Sequence, residues 1–220
     1  KLRRQLREEP LSNHTSFRIG GPAAFYYEPE TREEIRDLLR QCKEEGIRTA
    51  VIGNGSNLLV GDKGFRGAVI RLGEGFGAIE TDGNRLKAEA GALLAKLART
   101  AANAGLGGLA FAAGIPGTVG GALVMNAGAY GGEMKDVLES AELLLPDGSV
   151  RRFTGAELEL SYRHSNIPEQ GAIVLSAVFA LQPGEKEEIL AEMKRYAESR
   201  REKQPLAFPS AGSPFKRPPG

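Results

Sequence analysis

The sequence predicts an α+β fold, and three observations carry that prediction. Helical and strand patterns mix along the chain without the regular strand–helix–strand alternation of a doubly wound sheet. Hairpin signals stand at Asp82-Gly83 and at Pro146-Asp-Gly148, each between apolar stretches. Two glycine-rich segments, too rich in glycine for ordinary turns, interrupt the pattern. At 220 residues the chain can bury a real core, as one domain or two.

Taken in order, Thr31-Arg-Glu-Glu34 has the form of a capping box with Thr31 at the N-cap. Ile35, Leu38, Leu39 and Cys42 then fall on one helical face, and Gly46 ends the helix. Cys42 on that face is a small core residue rather than a nucleophile. Residues 48–52 read as a short buried strand feeding the first glycine loop, and residues 67–72 as another strand. Segments 78–81 and 85–90 flank Asp82-Gly83 as a hairpin. Leu93, Leu94, Leu97 and Ala101 then mark a second amphipathic helix. Beyond the second glycine segment, residues 141–145 and 149–153 pair around Pro146-Asp-Gly148, and residues 172–181 form an apolar strand. A charged helix over 185–201 turns Ile189, Met193 and Ala197 inward, and Gln204-Pro205 stops it.

The glycine segments carry the chemistry. In Ala113-Gly-Ile-Pro-Gly-Thr-Val-Gly-Gly-Ala122, glycines 114, 117, 120 and 121 lack a Cβ, so backbone amides can approach a bulky ligand. Gly53-Asn-Gly-Ser-Asn-Leu-Leu59 has the same character, and Ser56 and Asn57 add side-chain donors to a backbone anion cradle. Neither segment is a dinucleotide fingerprint, which needs a third glycine opening a helix, and neither ends in the Gly-Lys-Ser/Thr of a phosphate loop. Taken alone, the first loop reads more readily as a tight connection. With the second, the pair points to a large cofactor bearing a pyrophosphate.

Composition narrows the classes. Net charge is +1 with no block of like charges, since the basic clusters at 1–4 and 194–203 are terminal or mixed with acids. That gives no electrostatic footprint for nucleic acid or an anionic membrane. One cysteine excludes an internal disulfide and fits a reducing cytoplasm, and two histidines far apart give a zinc site little support, so no metal is expected. Residues 100–132 carry no charge but include ten glycines and a proline, so they read as a buried loop system rather than a membrane span. The N-terminus lacks a signal-peptide pattern, and a soluble chain is expected.

Six segments together resemble the flavin-dependent UDP-N-acetylenolpyruvoylglucosamine reductases, within the vanillyl-alcohol-oxidase-like flavoproteins. They are Asn13-His-Thr-Ser-Phe17 with Gly20-Gly21, Gly53-Asn-Gly-Ser-Asn-Leu-Leu59, Ala113-Gly-Ile-Pro-Gly-Thr-Val-Gly-Gly-Ala122, Asn126-Ala-Gly-Ala-Tyr-Gly131, Ser161-Tyr-Arg-His-Ser165 and Ser210-Ala-Gly-Ser-Pro-Phe-Lys216. Each is weak alone; six in family order, nearly end to end, are specific. The resemblance implies a two-subdomain PCMH-type FAD-binding fold. Residues 1–72 and 73–184 would be the subdomains, and 185–220 a connecting helix with the start of a substrate-binding domain.

It further implies noncovalent FAD, reduction by NADPH, and an enolpyruvyl sugar nucleotide as substrate, in a cytoplasmic monomer of bacterial cell-wall synthesis. The implied cofactor contacts are Gly53, Asn54, Gly55, Ser56, Asn57 and Leu58. Ala113, Gly114, Ile115, Pro116, Gly117, Thr118, Gly120, Gly121 and Ala122 follow, then Asn126, Gly128, Ala129 and Ile173. Arg163 would stabilise the developing carboxylate charge and Ser213 would deliver the proton. Tyr130, Tyr162 and Lys203 would join them in holding substrate. His14 and His164 read as structural. Two departures stand out: Pro214 follows Ser213 where the family commonly has a bulky apolar residue, and relatives continue past Gly220 with the remaining substrate lobe and a glutamate that has no counterpart here. Two rival readings stay open, a flavin oxidase of the same superfamily and a ligand-binding module without redox chemistry.

Overall fold

A computed structural model describes residues 5–205, 207–213 and 215, and in it the chain divides after Phe76. One unit comprises the residues up to Phe76 together with those from Ala207; the other begins at Gly77 and runs through the last helix. The N-terminal residues 1–4, Pro214, Lys216 and Gly220 lie outside the described residues.

The first unit contains strand β1 (Gln5–Pro10), β2 (Pro22–Tyr27), helix α1 (Arg32–Glu44), β3 (Thr49–Ile52) and β4 (Phe65–Arg71), with sheet order β1-β2-β4-β3. β1 is antiparallel to β2, while β2 and β3 each run parallel to β4. Parallel neighbours cannot be joined by a tight hairpin; here α1 and β3 lie between β2 and β4, and the long connection 53–64 lies between β3 and β4. Thr31 Oγ1 accepts from Glu34 N–H at 3.2 Å, so the N-cap forms, while Glu34 reaches back one residue further than a capping box requires and accepts from Glu30 N–H at 2.7 Å. Ile35, Leu38 and Cys42 are buried, and burial pushes the Cys42 thiol above its ordinary range. The helix closes with Gly46 N–H on the Lys43 carbonyl and Ile47 N–H on that of Cys42. Leu11, Ala23, Tyr26 and Val69 form a buried cluster, with Leu6, Ile52, Val60 and Phe65 against it. β3 differs from expectation: as an edge strand with a single neighbour it is only half-buried, and Val51 is 38% exposed.

The second unit begins with β5 (Ile79–Asp82), β6 (Arg85–Glu89), α2 (Leu94–Asn103) and β7 (Leu106–Gly107). It continues through α3 (Val119–Val124), β8 (Gly128–Ala129), β9 (Gly132–Glu133), β10 (Leu138–Leu144) and β11 (Val150–Thr154). β12 (Ile173–Ala180), β13 (Gln182–Pro183) and α4 (Lys186–Lys203) complete it. Its main sheet, β11-β10-β12-β6-β5, is antiparallel throughout. The β5–β6 turn residues are Gly83-Asn84 rather than Asp82-Gly83, because Asp82 already pairs with Arg85. Leu93 is not on the buried face of α2; it sits at the N-cap, 47% exposed, bridged to Thr118. The glycine segment is not all loop, since residues 119–124 form α3. Helix α4 packs on the turn at Ala110–Gly114 and on α2, burying Ile189 and Met193 with Ala197 half-buried. Among the described residues no helix is long and apolar enough to cross a membrane.

Candidate functional site

In the first unit, three of the signature segments meet. Gly55 adopts φ +60°, and a Cβ there would collide with the His14 carbonyl, so this glycine is required by the close passage of Asn13–Thr15 rather than by any ligand. Ser16 N–H donates to the Gly55 carbonyl at 3.2 Å, which fixes the loop against that segment. On its other side Ser16 is tied to the last segment: its hydroxyl donates to the Ser210 carbonyl at 2.6 Å, and Ser210 N–H returns a bond to Ser16 at 3.3 Å. Asn57 Nδ2 donates to the Ala211 carbonyl at 3.1 Å, and Gly212 lies beside the Ser56 carbonyl. The loop that carries exposed Ser213 is therefore strapped to the first glycine loop, where Gly53, Asn54, Ser56, Asn57 and Leu58 are half-buried.

In the second unit the other three segments meet. Ala113, Gly114, Ile115 and Gly117 are half-buried, Pro116 is exposed and Thr118 and Ala122 are buried. Not every amide of this segment faces outward: Val119 N–H donates to the Ala92 carbonyl at 2.9 Å and Gly120 N–H to that of Ala90 at 2.8 Å. Gly120 serves packing, since a Cβ would stand 3.1 Å from the Ala90 Cβ. Gly121 is different. It is exposed, and a Cβ there would meet only Thr118 Oγ1 at 3.8 Å, so bare backbone is presented at the surface.

Asn126 joins two segments. Its side-chain amide donates to Glu133 at 2.8 Å and to the Ser161 carbonyl at 3.1 Å, while its oxygen accepts from Lys135 N–H at 3.0 Å. Bonds from Lys135 and Asn126 hold the Glu133 carboxyl below its ordinary range, against a partial opposing effect of burial. Gly128 and Ala129 form β8, and Tyr130-Gly131 is the two-residue turn to β9, both residues at positive φ. The Tyr130 ring stacks on Tyr196 of α4 with centroids 4.3 Å apart and planes 4° from parallel, and its hydroxyl donates to the Tyr196 carbonyl at 2.9 Å. Tyr162 and Arg163 occupy the tip of a tight turn closed by paired Ser161–His164 backbone bonds, both 3.1 Å. Arg163 is half-buried with φ +51°, and Tyr162 is 54% exposed. Ser165 Oγ donates to the Val124 carbonyl at 2.9 Å, anchoring the turn to the end of α3. Ile173 opens β12 half-buried, and Lys203 ends α4 exposed.

Arg200 was not singled out by sequence, yet its guanidinium lies over the glycine segment, where a Cβ on Gly114 would be 3.3 Å from Nη1. Tyr196, Arg200 and Lys203 recur at i, i+4 and i+7, one face of α4, and that spacing is the signal that points to them. The second unit thus sets the half-buried Arg200 beside an uncharged, glycine-rich surface, an arrangement suited to an anionic ligand with a flat neutral portion.

The FAD binding domain family matches residues 23–154. A UDP-N-acetylenolpyruvoylglucosamine reductase from Agathobacter rectalis is 53% identical over 98% of this chain and 72% of its own length. The reductase of the same name from Alkaliphilus oremlandii is 52% identical, over 98% of this chain and 71% of its own. The chain belongs to the UDP-N-acetylenolpyruvoylglucosamine reductase family. The crystal structure of the reductase from Thermus caldophilus superposes with a TM-score of 0.84 at 38% identity, covering 99% of this chain and 76% of that one. The fold is accordingly the α+β FAD-binding fold of these reductases. The chain spans about seven-tenths of its reductase relatives. FAD fits the residues present. Gly121 offers surface backbone that a Cβ would cover, and the segment around it places no charge against a neutral ring system.

Proposed function

We propose that the chain catalyses the NADPH-dependent reduction of UDP-N-acetylglucosamine enolpyruvate to UDP-N-acetylmuramate, a step of peptidoglycan precursor synthesis, with FAD bound noncovalently. The observation that carries this reading is the family membership over nearly the whole chain. The six signature segments, drawn into one cluster in each unit, support it. Residues 53–58 would hold the cofactor from the first unit. From the second, 113–118, 120–122, Asn126, Gly128, Ala129 and Ile173 would do so. The working species is a cytoplasmic monomer, residues 1–72 and 73–184 form the two FAD-binding subdomains, and 185–220 leads into the substrate-binding domain.

FAD held by these residues would supply hydride transfer, from NADPH to the β-carbon of the substrate's vinyl group. The work left to the chain is electrostatic and protonic. Arg163, permanently charged, balances the negative charge that gathers on the substrate carboxylate as the double bond is consumed. Ser213 gives a proton to the α-carbon, and the high basicity of the enolate makes a weak acid sufficient. One hydride and one proton thus add across the bond. Lys203 engages the phosphates, and Tyr130 and Tyr162 line the sugar nucleotide, Tyr130 with its ring already set by Tyr196. The test is anaerobic: NADPH bleaches the flavin, and the enolpyruvyl sugar nucleotide restores its colour. Rapid recolouring by air with no response to that substrate would instead identify an oxidase, and a protein that holds no flavin would refute the assignment altogether.

A further inference from the structure

Beneath the contact between the first glycine loop and the Ser213 loop lies a polar network that neither the fold nor the chemistry above requires. His14 is buried and stacks on Tyr26, with ring centroids 4.1 Å apart and planes at 25°. Its Nε2 is 2.9 Å from Glu9 Oε1 and its Nδ1 is 2.9 Å from the Tyr26 hydroxyl. Tyr26, fully buried, donates to Glu28 Oε1 at 2.7 Å, and Arg71 Nη1 donates to the same oxygen at 3.0 Å. A phenol has one proton, which Tyr26 gives to Glu28, and its oxygen stays in hydrogen-bond contact with His14, whose other ring nitrogen meets Glu9. The network therefore ties β1, β2 and β4 to His14. It ends at the backbone that the cofactor loop touches: Gly55 packs on the His14 carbonyl, and Ser16, two residues on, bonds both Gly55 and Ser210.

We propose that His14 and Tyr26 are positioning residues that hold the cofactor loop and the Ser213 loop in register with each other. A core that only needed filling would take an apolar residue at position 26, because a buried hydroxyl and imidazole must find partners or destabilise the fold. Here the partners are found and aimed at a single short segment. That segment has the first glycine loop on one side and the last signature on the other. A displacement of Asn13–Ser16 moves both at once.

The proposal rests on the reductase reading, and its test separates the two. In the holoenzyme, Tyr26→Phe removes the hydroxyl and keeps the ring. Flavin fluorescence should show the FAD Kd raised about tenfold, the equivalent of about 1.4 kcal/mol. Stopped-flow absorbance should show reoxidation by the enolpyruvyl substrate slowed several-fold more than reduction by NADPH. A lowered Tm with unchanged Kd and an unchanged ratio of half-reactions would make the network merely structural and overturn the proposal. If Tyr26→Phe fails to fold, Ser16→Ala decides, since it removes only the exposed hydroxyl bond to Ser210. Slower reoxidation with unaltered NADPH reduction is expected there, and an unaltered ratio refutes the proposal. A parent enzyme that binds no FAD, or is not reoxidised by the substrate, sinks the reductase reading instead.

Discussion

Arg163 stands where the backbone prefers glycine, and replacing it should separate stability from activity. Its φ of +51° is at the third position of a turn closed by two 3.1 Å backbone bonds between Ser161 and His164. A left-handed L-residue costs about 1–2 kcal/mol, and glycine gives back about 0.5–1 kcal/mol of that through greater freedom in the unfolded chain. The balance for Arg163→Gly against Arg163→Ala is a gain of roughly 0.5–1 kcal/mol, or about 1–4 °C in Tm for a chain of this size. Comparing glycine with alanine removes the side chain's own contacts from the difference, because both variants lose them. Both should also lose catalysis alike. Removal of a charge-stabilising group typically slows the chemical step by about 10²–10³-fold, read here as anaerobic reoxidation of flavin by the enolpyruvyl substrate, with NADPH reduction little changed. The prediction fails if alanine is as stable as glycine, which would mean the turn is unstrained. It fails equally if either variant is reoxidised at the parent rate, which would remove Arg163 from the chemistry.

Gly55→Ala should be far more damaging than an ordinary surface change, because the new Cβ meets the His14 carbonyl and the φ is positive; a loss of about 3 kcal/mol or more in chemical denaturation is expected, with loss of bound flavin. A Gly55→Ala protein that retained parental stability would show that the loop is free to move away from His14. Tyr130→Phe removes the bond to the Tyr196 carbonyl but leaves the stack, so a loss of about 1 kcal/mol is expected, while Tyr130→Ala should cost more by also losing the ring contact. Equal stability for the two would deny the stack a role. Glu133 has its folded pKa depressed by Lys135 and Asn126, so its contribution is complete above the ordinary carboxylate pKa and disappears as pH falls through the lowered value. Glu133→Gln should accordingly flatten the acid limb of a Tm-against-pH curve, and an unchanged limb would show that the Asn126 contact carries no such linkage.

Much of this architecture is legible in the residues because local rules decide it. The cap at Thr31, the stripe Ile35–Leu38–Cys42 and the hairpin at Pro146-Asp-Gly148 each form as their spacing dictates. What sequence could not supply was decided by neighbours distant in the chain. Its apolar residues mark β3 as buried, yet its place at the sheet edge leaves it half-exposed. Leu93 fits a helical stripe, but the helix starts one residue later. The glycine pattern suggests room for a ligand, and that holds only in part: Gly55 accommodates His14, Gly120 accommodates Ala90, and Gly121 presents open backbone. One residue type thus serves three physical needs that no local pattern distinguishes. Arg200 is the opposite case, one cation among several on a charged helix, whose spacing from Tyr196 and Lys203 marks a face but not what that face lies over.

The distribution of strain links these findings. Among the described residues, six non-glycine positions have positive φ, and Asn126, Tyr130 and Arg163 are three of them, all within signature segments. Each is held there by contacts that a relaxed backbone would lose: three side-chain hydrogen bonds for Asn126, the stacked ring and its hydroxyl bond for Tyr130, and the closed turn for Arg163. Strain persists only where the surroundings over-determine it. The same bonds that offset it also join the segments, Asn126 to Ser161 and Ser165 to Val124, so the turn bearing Arg163 cannot relax without loosening the glycine segment beside it. Relief at one of these positions should therefore stabilise the fold and blunt the site together, whereas relief at Glu8 or Glu159, which share the backbone conformation outside these segments, should stabilise without functional loss. Glycine set against alanine at Glu159 and again at Arg163, compared for Tm and for reoxidation rate, would expose the difference. If glycine were more stable than alanine at both positions and the Arg163 variants were reoxidised at the parent rate, strain in this chain would have no connection with its chemistry.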